Sequence, residues 1–462
     1  MRIKLDIPLS TEEICFATNG AIGNLRGRYI DHLTTDSREV AEGDLFIAIT
    51  GINFNGEDYV NDALQKGAIA LSCNSGLGRL KVSSTSSALL HLAKYYKTLL
   101  PNLKQTVGIT GSVGKTSAKE FLTRISSEKY LTHSTDGNKN NCIGLPLSIL
   151  KAPQKTEILI LEMGMNSKGE IKKLSECARP DIGIITKVGS SHLGFLGDKK
   201  QIALAKSEIT YGMNSNAPII VNENESLLDG LPNRFTFSVD ENENAHLVLK
   251  TLDCTIHGSY FTYKFKDYIS PPLFIPIPGK HMLETLASTI CVAHFLGLND
   301  KEIINGLSKI DSSSVRSGFV RIEDFTVFDD SYNASLESIM ADIVLFKHFC
   351  AKNRSALLGD ILELGDQTRD IHRSIGKSIA QNGFSRLYLI GDYSKYYLEG
   401  ALEGGMTENN IFVNNNYSDK VKTAKQILAN HKSDDVILFK GSHKIGISEV
   451  LKILKSTGDK TK

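Results

Sequence analysis

This 462-residue chain has no Cys-x-x-Cys pair, no apolar run near the ~18 residues a membrane span needs, and no excess of either charge. Lys and Arg number 53 against 52 Asp and Glu, a formal net charge of +1. Bulk electrostatics therefore give no case for nucleic acid or an anionic membrane, and an anionic ligand must be held by local chemistry. The seven cysteines, at 15, 73, 142, 177, 254, 291 and 350, are odd in number and scattered. That argues against zinc and for a reducing, cytoplasmic compartment, where buried thiols act as small hydrophobes. The opening MRIKLDIPLSTEE lacks the apolar core of a signal peptide.

What is present is globular in kind, with 41% hydrophobic and 23% charged residues. The length suits two to four domains of ~100–200 residues each. DLFIAI at 44–49 reads as a strand, EDYVNDALQK at 57–66 as a helix closed by Gly67, AIALS as a second strand, and SSALLHLAKYYKTLL from Ser86 as a helix ending before Pro101. A second block opens with TVGIT at 106–110 and continues through EILILE (157–162), DIGIIT (181–186) and APIIV (217–221). Runs apolar at nearly every position suit a parallel sheet covered on both faces. RFTFSV, HLVLKTL and SYFTYKF, between about 234 and 277, read as shorter antiparallel strands, and the helix from Met282 closes the block. A third block carries FTVFDD, SALLGD, RLYLIG, NIFVNN and DVILFKG with helices between, which predicts an open parallel or mixed sheet. The expected architecture is α/β in three domains: a small α/β unit at 1–100, a central phosphate-loop unit with a mostly parallel sheet at 101–313, and a Rossmann-like unit at 314–462.

The strongest local signal is Gly-Ile-Thr-Gly-Ser-Val-Gly-Lys-Thr, residues 108–116, lying between an apolar strand and the helix SAKEFLTRISSEK. Gly108, Gly111 and Gly114 let backbone N–H groups turn inward on phosphate oxygens, and the helix N-terminus adds its positive dipole end. Thr110, Ser112 and Val113 complete the nucleotide-binding loop. Lys115 is placed to neutralise the β- and γ-phosphates, and the Thr116 hydroxyl to ligate Mg²⁺. The strict pattern asks for Gly at 109, where Ile stands. Such a loop alone says only that a nucleotide is bound.

Three downstream residues narrow the chemistry. Glu162 ends EILILE, and carboxyl ends of parallel strands face the ligand crevice, so its carboxylate suits a hard cation. His192, in KVGSSHLGFLG, follows DIGIIT at the same edge, and Lys206, in LGDKKQIALAKSEI, follows an apolar stretch and can face inward. Each has an ordinary alternative: a satisfied strand-end Glu, a surface His, a snorkelling Lys. Asp198 with Gln201 predicts a helix cap, Ser167 with Glu170 predicts another, and Lys199 and Lys200 read as solvated charges.

Taken together, TDSREVAEGDLFIAITG, GITGSVGKTSAKE, NKNNCIGLPLSIL, LEMGMNSKGEI, KVGSSHLGFLG, LAKSEI, PGKH, DDSYNAS, LGDILELG and FKGSH resemble, in order and over almost the whole chain, the Mur ligase family of bacterial cell-wall synthesis. The resemblance implies a cytoplasmic, ATP-dependent ligase, monomeric, working through an acyl phosphate with Mg²⁺ at two sites. LGDILELG with His372 following favours the branch that joins D-alanyl-D-alanine to a UDP-N-acetylmuramoyl-tripeptide, and the Asp-Asn-Pro or Asp-Asp-Pro signature of the diaminopimelate- or lysine-adding branch is missing. By resemblance, Asp36, Ser37 and Arg38 belong to the UDP-substrate site. Asn141, Asp330 and Asn333 belong to the nucleotide site, Glu162 and His192 hold a second Mg²⁺, and Lys206 is carried as a carbamate. The first domain would bind the UDP end, the second ATP, and the third would close over both and hold the dipeptide.

The chain departs from the family at three places. His281-Met282 stands for His-Asn, Gly318-Phe319 for Gly-Arg (with Arg316 and Arg321 nearby), and Lys440-Gly441-Ser442-His443 for Lys-Gly-Ser-Arg. These motivate a competing reading as a nucleotide-binding protein without catalysis. A second, folylpolyglutamate synthase, lacks a comparable domain before the phosphate loop. A third, a phosphate-loop kinase, would give a phosphorylated product and no amide.

Overall fold

The computed structural model describes residues 2–51, 54–191, 193–311, 314, 317–347, 349 and 351–458, so His192, Arg316 and Cys350 lie outside the described residues. The chain builds three sheets in succession. The first runs Ile3–Ser10 (β1), Tyr29–Thr34 (β2), Leu45–Ile47 (β3), Ile69–Ser72 (β4) and Arg79–Lys81 (β5), in that order across the sheet, with β1 antiparallel to β2 and the rest parallel. β1 was not among the expected strands. It is buried at Ile3, Leu5 and Leu9 and exposed at Lys4 and Asp6, the period of two of a half-covered strand. The helix expected over 57–66 begins as a 3₁₀ turn, Gly56–Tyr59, and is α-helical only at Val60–Gln65. Helix Thr85–Thr98 buries Ala88, Leu89, Leu92, Ala93 and Tyr96 along one stripe and docks on helices Gly144–Leu150 and Glu170–Ala178 of the next unit. Lys97 Nζ ties the two units, donating to Ala178 O at 2.6 Å and Arg179 O at 3.1 Å.

The second sheet contains Gln105–Thr110 (β6), Thr132–Ser134 (β7), Ile158–Glu162 (β8), Ile182–Ile185 (β9), Ile219–Asn222 (β10), Arg234–Val239 (β11), Leu247–Thr255 (β12), Gly258–Phe265 (β13), Tyr268–Ile269 (β14) and Leu273–Ile275 (β15). Across it the order is β14-β13-β12-β11-β10-β9-β6-β8-β7, with β15 also on β13. From β7 to β12 all neighbours are parallel, and antiparallel pairing begins only at β12–β13. RFTFSV is therefore a parallel strand, contrary to expectation. Its alternation reflects one half-covered face and does not report direction. The chain leaves β6 toward β8 and β7, then returns to β9 on its other side. The carboxyl ends of β6, β8 and β9 thus meet at a topological switch point, where open α/β sheets bind ligands.

The third sheet orders Gly318–Ile322 (β16), Phe325–Asp330 (β17), Val436–Lys440 (β21), Arg354–Gly359 (β18), Arg386–Ile390 (β19) and Ile411–Asn414 (β20). All pairs are parallel except β16–β17, so the sheet is mixed, with β16 as an unexpected edge strand. Among the described residues no helix is long and apolar enough to cross a membrane, and the six described cysteines are free.

Candidate active site

The phosphate loop leaves β6 and enters helix Lys115–Ser126. Gly114, at φ 86°, takes the left-handed turn that starts the helix. Gly111, at φ 144°, lies against β9: a Cβ there would collide with Thr186 Oγ1, whose hydroxyl donates to Val113 O at 2.5 Å and Thr110 O at 3.3 Å. Gly108 and Thr110 do not reach the cleft. Gly108 packs under the loop, where a Cβ would press on Pro180, and the buried Thr110 hydroxyl donates to Met163 O at 3.0 Å. The Lys115 ammonium donates back to Gly111 O at 2.8 Å and Ser112 O at 3.4 Å.

Glu162 ends β8 at only 1% exposure. Its Oε2 accepts from the Thr116 hydroxyl at 3.0 Å and its Oε1 from Asn140 Nδ2 at 2.7 Å. Its backbone N–H donates to Thr135 Oγ1 at 3.0 Å. The loop that delivers Asn140 is pinned by Lys119, a buried lysine donating to Thr135 O at 2.7 Å and Gly137 O at 3.1 Å. Asn141 also lines the cleft, yet its Oδ1 accepts from Ile143 N and Gly144 N at 3.1 and 2.8 Å and so caps the following helix. Asn140, which supports the carboxylate, was missed. The NKNN run gave four polar neighbours and no means of choosing between them.

Lys206 faces inward from helix Lys199–Ser207, fully buried, with no hydrogen-bond partner for Nζ. Burial, and then the nearby charge of Lys115, hold its pKa well below the usual lysine value, opposed by Glu208. Glu208 in turn accepts from Gly169 N at 2.9 Å and Lys172 N at 3.2 Å at the start of helix Glu170–Ala178. The expected Ser167–Glu170 box does not form, because the helix starts at Glu170 and Ser167 only donates its hydroxyl to that carboxylate. Asp198 does cap its helix, accepting from Gln201 N at 2.8 Å.

A cleft of about 500 Å³ separates this edge from the third unit. Asp330 and Asn333, at and after the carboxyl end of β17, line it opposite Ser112–Thr116. Lys440, ending β21, pairs with Asp330 and lies 3.0 Å from Asp342 Oδ2. Burial lowers the Lys440 pKa to about 7 and raises that of Asp342. Two departures from the family also line the cleft, Met282 and His443, the latter with its ring 5.1 Å from that of Tyr332. Phe319 instead packs into an aromatic group with Phe328 and Phe349 at 4.8 and 5.4 Å. Arg321 does not replace the expected arginine, because it bonds Glu323 O and Thr326 Oγ1 on its own hairpin.

Asp36, Ser37 and Arg38 are not part of this cleft. They form a 3₁₀ turn after β2, where Asp36 caps Arg38 N at 3.0 Å and the exposed guanidinium pairs with both carboxylate oxygens at 2.8 and 2.6 Å. This pairing holds the Asp36 pKa below the usual carboxylate range. Among the described residues no three His, Cys, Asp or Glu side chains gather as a metal site. Thr116 and Glu162 offer hard oxygen donors beside the loop.

Three family models match consecutive stretches of the chain: "Mur ligase family, catalytic domain" over residues 29–93, "Mur ligase middle domain" over 109–293, and "Mur ligase, glutamate ligase domain" over 316–443. The chain is 32% identical over 434 residues to the UDP-N-acetylmuramoyl-tripeptide–D-alanyl-D-alanine ligase of Bacillus subtilis (strain 168), covering 92% of this chain and 93% of that one. Its fold matches MurF from Acinetobacter baumannii at a TM-score of 0.89 and 24% identity, over 98% of this chain and 100% of that one. It matches the MurF ligase from Thermotoga maritima, in complex with ADP, at 0.81 and 28% identity, over 93% and 98% of the two chains. The same units in the same order, at that identity over nearly the full length, mean that this chain belongs to the Mur ligase family.

Proposed function

We propose that the chain joins D-alanyl-D-alanine to a UDP-N-acetylmuramoyl-tripeptide at the expense of ATP, as a cytoplasmic monomer in peptidoglycan precursor synthesis. The observation that carries this is the Thr116–Glu162–Asn140 cluster beside a phosphate loop, faced across the cleft by Asp330 and Lys440. The whole-length likeness to UDP-N-acetylmuramoyl-tripeptide–D-alanyl-D-alanine ligases supports the choice of substrates.

A free carboxylate is a poor acylating agent. The tripeptide's terminal carboxylate attacks the γ-phosphorus of ATP, ADP leaves, and an acyl phosphate forms. The dipeptide amine then attacks the acyl carbon, and the tetrahedral adduct collapses with loss of inorganic phosphate. Both steps concentrate negative charge where Lys115, released from Gly111 O and Ser112 O, can reach it. Thr116 would hold the Mg²⁺ that accompanies ATP, and Glu162 and His192 would hold a second, supported by a carbamylated Lys206. Mg²⁺ would offset the repulsion between carboxylate and triphosphate. Burial makes the Lys206 amine easier to deprotonate, and the free amine is suited to add to CO₂, losing a proton to give an anionic carbamate where Nζ has no hydrogen-bond partner. Asp330 and Asn333 hold the nucleotide from the third domain, which excludes water from the acyl phosphate and carries the dipeptide. Asp36, Ser37 and Arg38 receive the UDP end on the first domain.

The test is phosphate release on mixing ATP, UDP-N-acetylmuramoyl-tripeptide and D-alanyl-D-alanine, with the product mass measured. Release that needs both the UDP-tripeptide and the dipeptide and yields the pentapeptide supports the reading, and Lys115→Ala should remove it. A phosphorylated product without an amide would sink it.

A further inference from the structure

Glu337 lies in the first turn of the third unit's helix Leu336–Lys347 but contacts Ser190 and Lys199 of the second unit. Both carboxylate oxygens lie 3.0 Å from Ser190 N, and Oε2 also accepts the Ser190 hydroxyl at 2.8 Å. Lys199 Nζ approaches Oε1 at 3.0 Å, so that lysine, exposed as its sequence suggests, is also engaged in an ion pair. Glu337 is only 13% exposed. Despite desolvation, the bonds from Ser190 and Lys199 hold its pKa below the ordinary value, so the carboxylate stays ionised. The packing leaves no slack, since a Cβ on Gly189 would sit 2.8 Å from Glu337 Oε2.

The segment that Glu337 grips reaches the phosphate loop directly. Gly189 N donates to Ser112 Oγ at 3.0 Å, and Ser112 N donates to Lys187 O at 2.8 Å. A second crossing lies alongside, where Gly194 N donates to Glu363 O at 2.8 Å. We infer that Glu337 is a positioning residue that fixes segment 187–191, and through it Ser112 of the phosphate loop, when the third domain sits over the second. Glu337 is not among the residues that line the cleft. It makes the geometry of the loop depend on the presence of the third domain, so the site is fully assembled only when that domain can exclude water. A mostly buried carboxylate carrying three charge-assisted contacts is strong enough for this task.

The inference rests on the ligase reading, so wild-type ligation is measured first. An inactive wild type would count against the reading, and an active one isolates the question of Glu337. Glu337→Ala should lower kcat about tenfold or more. Glu337→Gln, which keeps an acceptor for Ser190 but loses the Lys199 ion pair, should retain an intermediate rate, and it answers the question if the alanine variant fails to fold. KM for the UDP-substrate should stay within about twofold, because the first domain is not involved. In a double-mutant cycle with Ser112→Ala, the loss in kcat should be non-additive by about threefold or more. Additive losses, or a kcat for either Glu337 variant within twofold of wild type, overturn the inference.

Discussion

The Thr116 hydroxyl donates to Glu162 Oε2 at 3.0 Å across 46 residues of sequence, while Asn140 occupies the other oxygen of the same carboxylate. This joins the phosphate loop to the end of β8 and presents two oxygen donors side by side. In Glu162→Gln the amide oxygen can keep Asn140 and the amide N–H can donate to the Thr116 hydroxyl, but the negative charge and one oxygen donor for a cation are lost. Ligation should fall by about 100-fold or more, the scale of losing one well-placed charged group in a catalytic site. KM for ATP should rise at subsaturating Mg²⁺. Rates near wild type would show that this carboxylate has no part in the chemistry.

Lys206 gives a prediction with two signs. A buried amine with no hydrogen-bond partner is a net cost to folding, so Lys206→Met should raise the thermal midpoint while abolishing ligation. Lys206→Ala leaves space where the carbamate is proposed, and added short carboxylic acids should restore part of its activity. No restoration over a wide concentration range would count against the carbamate, and a lower midpoint for the methionine variant against the stability argument.

Much of this was legible in the sequence, and the gaps have physical causes. β8, β9 and β10 are apolar at almost every position because both faces are covered, so composition alone marks them. β7 (Thr132–Ser134) is three half-buried residues at the far end of the order and carries no such signal. Lys115 and Glu162 could be found because strand ends and glycine turns are local features. Lys199 and Glu337 could not, since their meaning depends on two domains touching 138 positions apart in the chain. Asn140 and Asn141 differ only in which way the backbone turns, one toward Glu162 and the other toward its own helix.

Gly111→Ala should damage the loop more than its size suggests. At φ 144° an L-residue is strained, and the added methyl would drive into Thr186, whose hydroxyl holds Val113 and Thr110 in place, with Lys187 N only 3.1 Å away. The strain alone is worth about 1–3 kcal/mol, enough to distort a loop whose amides must converge on phosphate. ATP affinity measured by calorimetry should drop at least about tenfold, with the far-ultraviolet circular dichroism unchanged. Unaltered affinity would mean that the loop yields without loss.

Acid sensitivity follows from buried neutral imidazoles. His372 is fully buried; its Nδ1–H donates to Thr368 O at 2.6 Å and its Nε2 accepts from Ile361 N at 3.1 Å, an arrangement only the uncharged ring can make. Burial lowers its pKa to about 4, and that of His294 likewise to about 4, against 6.5 for a free imidazole. Between pH 6.5 and 4 the unfolded chain therefore takes up protons that the folded chain refuses. The stabilising effect is complete above pH 6.5 and is lost as the pH falls through that window. At about 1.4 kcal/mol per pH unit, His372 accounts for a loss of about 3 kcal/mol by pH 4. Urea midpoints should fall steadily from pH 7 to 4.5. His372→Gln should be less stable than wild type at pH 7, because two buried bonds are disturbed, yet lose less on acidification. If the two proteins give parallel midpoint curves over this range, His372 does not titrate with unfolding and the neutral-ring assignment is wrong.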